Sequence, residues 1–250
     1  MKIGFIGFGQ VNQTLSEKLK NTHQLYTSIE NRSNTTINNI KKAKINYFKT
    51  DIELAKNVEL LISANTPKSA LPTAKKYSKI YNGLYLDLNN INPITTEKIN
   101  KLFPEKFIDG AIIGNIKKLQ LLLISGQETE KLKFLNNIIE TKIISKKPGD
   151  ASKLKILRST YTKGVSALLK ETFDIAKTQN IDKQLWEILE KTENNTNFKE
   201  NSISRIKNTE KNNKRKIEEI EEILEFLEYI NTSDYNKIMI KSTYSKLKNL

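Results

Sequence analysis

The stretch "IGFIGFGQVNQTLSEKL", residues 3–19, places three of the chain's nine glycines within seven positions and then takes up an amphipathic helical pattern. Residues 2–6 alternate like a β-strand, Gly7-Phe8-Gly9 interrupts them, and residues 10–20 have helical spacing. A strand, a glycine turn and a helix in that order form a backbone cradle for an anion. Gly7 allows the tight turn, Gly9 lets a ligand approach the chain, and the first helical amides, from Gln10, Val11 and Asn12, are available to hold it. The spacing G-x-G-x-x-G, which receives the pyrophosphate of a dinucleotide, is met at its first two glycines, with Asn12 in place of the third. A side chain there implies either a wider helix-strand contact or an amide turned to the ligand.

A dinucleotide site needs a second polar group about 20 residues further on, where the adenosine ribose lies. The sequence there reads "LYTSIENRSNTT", residues 25–36. Glu30 suits the ribose 2′-hydroxyl of NAD, whereas Arg32, flanked by Asn31 and Ser33, suits the 2′-phosphate of NADP, because a guanidinium fork matches phosphate oxygens. Arg32 and Ser33 stand just past the strand, where the phosphate is expected, so NADP is the favoured cofactor. Ser33 or Asn34 also suits the cap of the following helix.

Composition narrows the partners. The formal net charge is +14, but lysine is spread along the whole chain, mixed with glutamate, and asparagine and isoleucine are abundant too. A clustered basic footprint is absent, which argues against nucleic acid and leaves small anionic ligands favoured. No apolar run approaches the roughly 20 residues that cross a bilayer. Met1 and Lys2 lead directly into the first strand, leaving no room for a signal peptide, and the lack of cysteine excludes disulfides and thiolate chemistry. The expectation is a soluble, cytoplasmic protein without membrane contact or metal.

All nine glycines and all five prolines lie at or before Gly164, so the two ends of the chain differ in architecture. Residues 2–6, 24–29, 45–48, 59–63, 83–87, 106–109, 119–124 and 142–144 read as strands alternating with helical patterns. That alternation means βαβ crossovers and a doubly wound, mainly parallel α/β sheet of Rossmann type over residues 1–147. From residue 148 the pattern turns helical, with apolar side chains at 154, 157, 161, 165, 168, 169 and 173. Residues 182–192, 199–207, 211–230 and 233–250 are amphipathic as well, so residues 148–250 read as an all-α domain opened by a long helix.

Several of these segments together resemble one family. "IGFIGFG", "ENRS" (30–33), "ISANTP" (62–67), "YLDLNNINP" (85–93) and "FIDGAIIGN" (107–115) are similar to the 6-phosphogluconate and 3-hydroxyisobutyrate dehydrogenase superfamily, the β-hydroxyacid dehydrogenases. "PGDASKLKILRSTYTKGVSALLKE" (148–171) most resembles its phosphogluconate dehydrogenase-like subgroup of uncertain substrate. The resemblance spans nearly the whole chain. It implies hydride transfer between NADP(H) and a small, anionic hydroxy or oxo acid, and a homodimer or higher homo-oligomer built through the helical domain. Asn65, Thr66, Pro67 and Asn89 then join the cofactor residues.

The family's catalytic lysine sits on the helix that opens the second domain. Lys153, four residues after Gly149, and Lys155, sixteen before Glu171, compete for the role; the interval to Glu171 and the subgroup pattern favour Lys155. A lysine lifted partly out of water loses some of its affinity for the proton, which suits it to general acid-base work. Ser159 stands at the family's asparagine position one turn on. The substrate loop departs further: Ile113, with Gly114 and Asn115, occupies the place of a serine-glycine-glycine run, and isoleucine cannot hydrogen-bond a carboxylate. Two alternatives follow, an imine or deazaflavin-type reductase on the same scaffold, or a non-catalytic NADP-binding sensor.

Other features read more plainly. His23 is expected to be solvated in a loop, and Trp186 to pack within the helical domain. Asn197, Lys199, Ser204 and Arg205 mark a polar helix start, while Ile217, Ile220, Ile223, Leu224 and Leu227 form a stripe for a core or a dimer interface.

Overall fold

The computed structural model of the chain describes residues 1–118, 120–193 and 198–249; Leu119 and Asn197, both singled out in the sequence, lie outside the described residues. The chain divides into two compact units, Met1–Ser159 and Thr160–Leu250. The sequence places its division at residue 148, before the long helix, whereas these units divide within that helix.

The first unit is built on one sheet. Its strands are β1 (Lys2–Ile6), β2 (Gln24–Ser28), β3 (Asn46–Phe48), β4 (Leu60–Ser63), β5 (Leu84–Asp87), β6 (Phe107–Ile113), β7 (Leu121–Ser125) and β8 (Thr141–Ser145). They lie in the order β3-β2-β1-β4-β5-β6-β7-β8, and only the β6–β7 pair is antiparallel. This is the doubly wound sheet that the alternation of apolar runs predicts, with a reversal at β1 and β4 where the crossovers change direction.

The helices are α1 (Gln10–Leu19), α2 (Asn34–Ala43), α3 (Asp51–Asn57), α4 (Pro67–Tyr77) and α5 (Pro93–Asn100). Their starts are written locally: Ser33 and Asn92 cap α2 and α5, Thr50 and Glu53 form a capping box on α3, and Pro67 and Pro93 open α4 and α5. Alternate residues of each strand feed opposite cores. One face buries Ile3, Phe5, Ile62, Leu86, Ile108 and Ile124 against Leu15 and Leu19 of α1 and Ile40 of α2. The other buries Ile6, Leu61, Tyr85 and Phe107 against Leu54 of α3, Ala74 and Tyr77 of α4, and Ile99 of α5. Gly4 lies on this second face, where a Cβ would press into Leu61, Val58 and Leu54, so α3 can approach β1 closely only over a glycine.

On the second face the sheet core ends in a polar rung. Ser63, Asp87, Asp109 and Ser125 are successive register partners across β4, β5, β6 and β7, and all are buried. The next helix, α6 (Asp150–Thr178), docks here. Asp109 accepts the backbone amide of Ser152 at 2.8 Å and the Ser152 hydroxyl, while Ser125 Oγ accepts the Ala151 amide at 3.1 Å. A carboxylate at a helix N-terminus satisfies amides that lack intrahelical partners, and each charge-assisted bond contributes about 1.5–3 kcal/mol. The first turns of α6 therefore belong to the sheet unit.

The second unit contains the rest of α6 with α7 (Asp182–Glu193), α8 (Phe198–Lys211), α9 (Asn213–Tyr229) and α10 (Ile238–Lys248). Buried Glu171 accepts the Met239 and Ile240 amides at 2.7 and 3.1 Å, holding the start of α10, and buried Lys237 reaches Glu228 at 2.7 Å. Trp186 lies tilted on Phe173 with ring centroids 4.1 Å apart yet is 56% exposed, so it packs less fully than the sequence leads one to expect. Leu154, Leu157, Tyr161, Val165 and Leu168 leave α6 with an exposed apolar stripe. Among the described residues, no helix is long and apolar enough to cross a membrane.

The rung predicts a pH dependence. Burial, with the Asp109 charge adding to it, pushes the Asp87 carboxyl up to about 7. The folded state keeps this proton where the unfolded chain, near pH 4, has lost it, so the group costs stability progressively as pH rises from about 4 to about 7. Asp87→Asn should raise Tm at pH 8 by several degrees and leave it nearly unchanged at pH 4; a pH-independent difference in thermal melts would refute the assignment.

Candidate functional site

The strand-turn-helix of the opening segment is present as read, and its geometry tests whether a dinucleotide fits. Gly7 has φ +80°, open to glycine without strain, and a Cβ there would collide with the Asn65 side chain. Gly9 is the N-cap of α1 and is exposed, with nothing within 4 Å of a Cβ built on it, so the space over the helix start is open. The first turn of α1 has no acidic residue and no side-chain cap, leaving the amides of Gln10, Val11 and Asn12 to an incoming anion. Phe8 turns inward against Phe5 and Val11 packs on the same core, so these two offer backbone rather than side chain.

Asn12 resolves the imperfect fingerprint. Fully buried, it gives its amide to the carbonyls of Gly7 at 2.7 Å and Ile6 at 3.2 Å, turned to the strand end and not outward. Gln13 makes a parallel bond to the Phe8 carbonyl at 2.8 Å. Two amides thus fasten the turn from beneath, in place of the close contact that a third glycine provides.

At the end of β2, Asn31 takes up the left-handed conformation at φ +53°, which carries the chain round to Arg32 and Ser33. Ser33 is the N-cap of α2, accepting the Thr36 amide at 3.3 Å. Arg32 is half-buried and has no carboxylate partner among the described residues. Glu30, its rival in the sequence, is occupied: it accepts Lys76 Nζ at 2.8 Å and the Asp51 amide at 2.7 Å. Lys76 first and that amide second hold its carboxyl below the ordinary range. No sequence pattern announces this contact, because four elements, α2, β3, α3 and β4, lie between Glu30 and Lys76.

The loops after β4 and β5 are joined to the same region. Asn89 Oδ1 accepts the Asn65 amide, Asn89 Nδ2 reaches Ser63 Oγ at 3.0 Å, and the Asn89 amide meets Asp87 Oδ1 at 2.8 Å. Thr66 and Pro67 begin α4, exposed and without a side-chain cap. Asn89 is therefore a buried organiser of the loops, where the sequence reads it as a cofactor ligand.

The lysine choice meets distinct surroundings for its two candidates. Lys153 turns to Asp150 at 3.4 Å. Lys155 is half-buried, and loss of solvent holds its ammonium below the ordinary lysine range although the Asp109 charge pulls the other way. Ser159, half-buried, follows one turn later on α6. Ile113 packs on Ala111, Leu123 and Ala151 beside the α6 start, Gly114 turns at φ +86°, and Asn115 Oδ1 accepts the Lys117 amide at 2.9 Å. His23, read as solvated, is half-buried: it lies on Phe134, ring centroids 4.5 Å apart, and bonds Thr22. Asp87 and Asp109 stand in the sequence as strand ends, Asp109 also as the head of the substrate-loop run, and neither carries a role there.

Comparison with known proteins places the chain. No protein-family model matches the chain. An uncharacterized 28.5 kDa protein in a 7S RNA 5′ region of Methanothermus fervidus is 45% identical over 195 residues, 77% of this chain and 78% of its own. The structure of the conserved protein MTH1747, of unknown function and described as similar to 3-hydroxyacid dehydrogenases, matches at TM-score 0.72 with 35% identity, over 100% of this chain and 97% of that one. An imine reductase from Myxococcus stipitatus in complex with NADP+ shares the fold at TM-score 0.76 and 16% identity, covering 100% of this chain and 93% of its own. With its doubly wound sheet, glycine turn and α6 lysine, the chain belongs to the family of these conserved proteins within the 3-hydroxyacid dehydrogenase-like superfamily.

Proposed function

We propose that the protein is an NADP-dependent oxidoreductase acting on a small hydroxy or oxo acid or a related carbonyl compound. The observation that carries the cofactor is the pairing of an open, acid-free α1 start with Arg32, which lacks a carboxylate partner among the described residues, while Glu30 is taken by Lys76. Gly7, Gly9 and the amides of residues 10–12 would hold the pyrophosphate, and Asn31, Arg32 and Ser33 the 2′-phosphate. When bound, the nicotinamide supplies or accepts the hydride. The chain's own part is the proton: Lys155, easier to deprotonate than an exposed lysine, is suited to give a proton to the substrate oxygen in reduction and to remove it in oxidation.

Imine reduction is a second reading, favoured by Ile113. Its side chain packs in an apolar cluster and offers no hydrogen bond to a carboxylate, and a less polar substrate needs none. Lys155 would then move its proton to or from nitrogen. The exposed stripe on α6, with Leu157 at 64%, supports a homodimer or higher homo-oligomer, because a contiguous apolar face of this kind is costly in water.

Three measurements test these statements. Arg32→Ala should weaken NADPH binding at least about tenfold and leave NADH affinity nearly unchanged, as the loss of a guanidinium-phosphate pair requires. Equal binding of both dinucleotides by the natural chain would remove the NADP assignment. Against a panel of oxo acids, semialdehydes and imines, Lys155→Met should lower NADPH turnover by roughly 10²–10⁴-fold with cofactor affinity intact; a fully silent panel with tight NADPH binding would favour the sensor. Leu157→Glu should reduce the mass seen in analytical ultracentrifugation to that of a monomer, and a natural chain already monomeric would rule out the oligomer.

A further inference from the structure

The end of β2 holds a small charge network that the cofactor residues alone do not explain. Lys76, on the last turn of α4, donates from one ammonium to Glu30 Oε1 at 2.8 Å and to Asp51 Oδ2 at 2.7 Å. Glu30 Oε2 meanwhile accepts the amide of Asp51, the first residue of α3, at 2.7 Å. Both Glu30 oxygens are therefore engaged. Asp51 is buried beside Ser28 and Tyr77, and despite that burial Lys76 keeps its carboxyl below the ordinary range. Glu30 is the more exposed of the two acids and stands two residues before Arg32.

These contacts join two questions that look separate, where the acid points and which dinucleotide is accepted. An acid at the end of the second strand can accept the ribose 2′-hydroxyl of NAD, and the same acid repels a 2′-phosphate. Here the charges of Glu30 and Asp51 are both met by the single ammonium of Lys76. Without the Lys76 ammonium, two carboxylates share the start of α3 with no counter-charge. Asp51 is fixed by its burial, so Glu30 is the one able to turn outward.

We infer that Lys76 is a specificity-determining residue, which keeps the site selective for a 2′-phosphorylated dinucleotide by holding Glu30 out of it. Lys76 acts here as a positioning residue: its ammonium is spent on two carboxylates and makes no contact with the ligand. The inference rests on the NADP reading above. It also goes beyond it, since Arg32 alone would attract phosphate but would not silence the neighbouring acid.

The test is titration of the full chain with NADPH and with NADH, for the natural sequence, Lys76→Met, Lys76→Arg and the double variant Lys76→Met/Glu30→Gln. Lys76→Met keeps the methylene stem and removes the charge; it should weaken NADPH binding about tenfold and change NADH binding by less than about threefold, or improve it. Lys76→Arg should keep the natural preference. The double variant, with no acid left to turn outward, should recover NADPH affinity to within about threefold of the natural chain. An unchanged NADPH-to-NADH ratio in Lys76→Met overturns the inference. So does a double variant that fails to recover, because Lys76 would then act through something other than Glu30. Failure of the natural chain to bind either dinucleotide is a separate result, which removes the cofactor reading itself. Melting curves by circular dichroism confirm that each variant is folded.

Discussion

The carboxylate of Asp109 joins the sheet to the helix that carries the candidate catalytic lysine. Buried at 2% exposure, it would be a costly charge in an apolar core, but it meets the amide and hydroxyl of Ser152 and the hydroxyl of Ser125. These donors are the start of α6 and the next strand of the sheet. Asp109 thus fixes where α6 begins, and Lys155 follows Ser152 by less than one turn. Its register partner Asp87 accepts the Asn89 amide and leaves one oxygen without a partner among the described residues. Two like charges side by side in low dielectric are unfavourable; burial raises both carboxyls, and Asp109 has more donors to set against it, while Asp87 is pushed up to about 7. Through Asn89 the same rung reaches Asn65, whose side chain stands against Gly7. One row of side chains across four strands therefore coordinates the glycine turn, the loop after β4 and the start of α6.

Much of this was legible in the sequence, because the features concerned are local. Eight apolar runs became eight strands within a few residues of their expected bounds, since alternation in a short window is what a strand face requires. Gly7 and Gly9 were legible because a tight turn followed by a helix leaves few alternatives to glycine. Ser33 was legible as a cap for the same reason. β6 runs beyond its expected end at 109 to Ile113, where the apolar run continues past a glycine that reads as a terminator but instead makes room for Leu88, Leu86 and the β5 backbone.

What escaped was non-local. Glu30 and Lys76 are 46 residues apart, and nothing in either segment marks the other as its partner. Asp87 and Asp109 each look like a polar strand end; only the register that sets them side by side makes them a pair. The stripe on α6 is legible as apolar and helical, but period alone does not tell a face packed within a chain from one left exposed on it. A folded chain makes such distinctions by bringing distant segments together, so they are invisible to any window shorter than the separation.

Asn12 shows how one departure from a pattern can keep its purpose. In the usual fingerprint the third glycine lets helix and strand approach, which aims the first helical amides at the anion. Here a buried amide is inserted instead, and its two hydrogens go to the Ile6 and Gly7 carbonyls. Those carbonyls lie where the strand stops and the turn begins, so holding them fixes the same geometry by hydrogen bonding that the glycine fixes by packing. The substitution has a cost, since Asn12 Oδ1 is buried with no partner among the described residues, and an unmet acceptor typically costs about 1–3 kcal/mol. Two donated bonds offset it. Because both point down into the strand end, no side chain is spent above the turn, and the space over Gly9 stays open to a ligand.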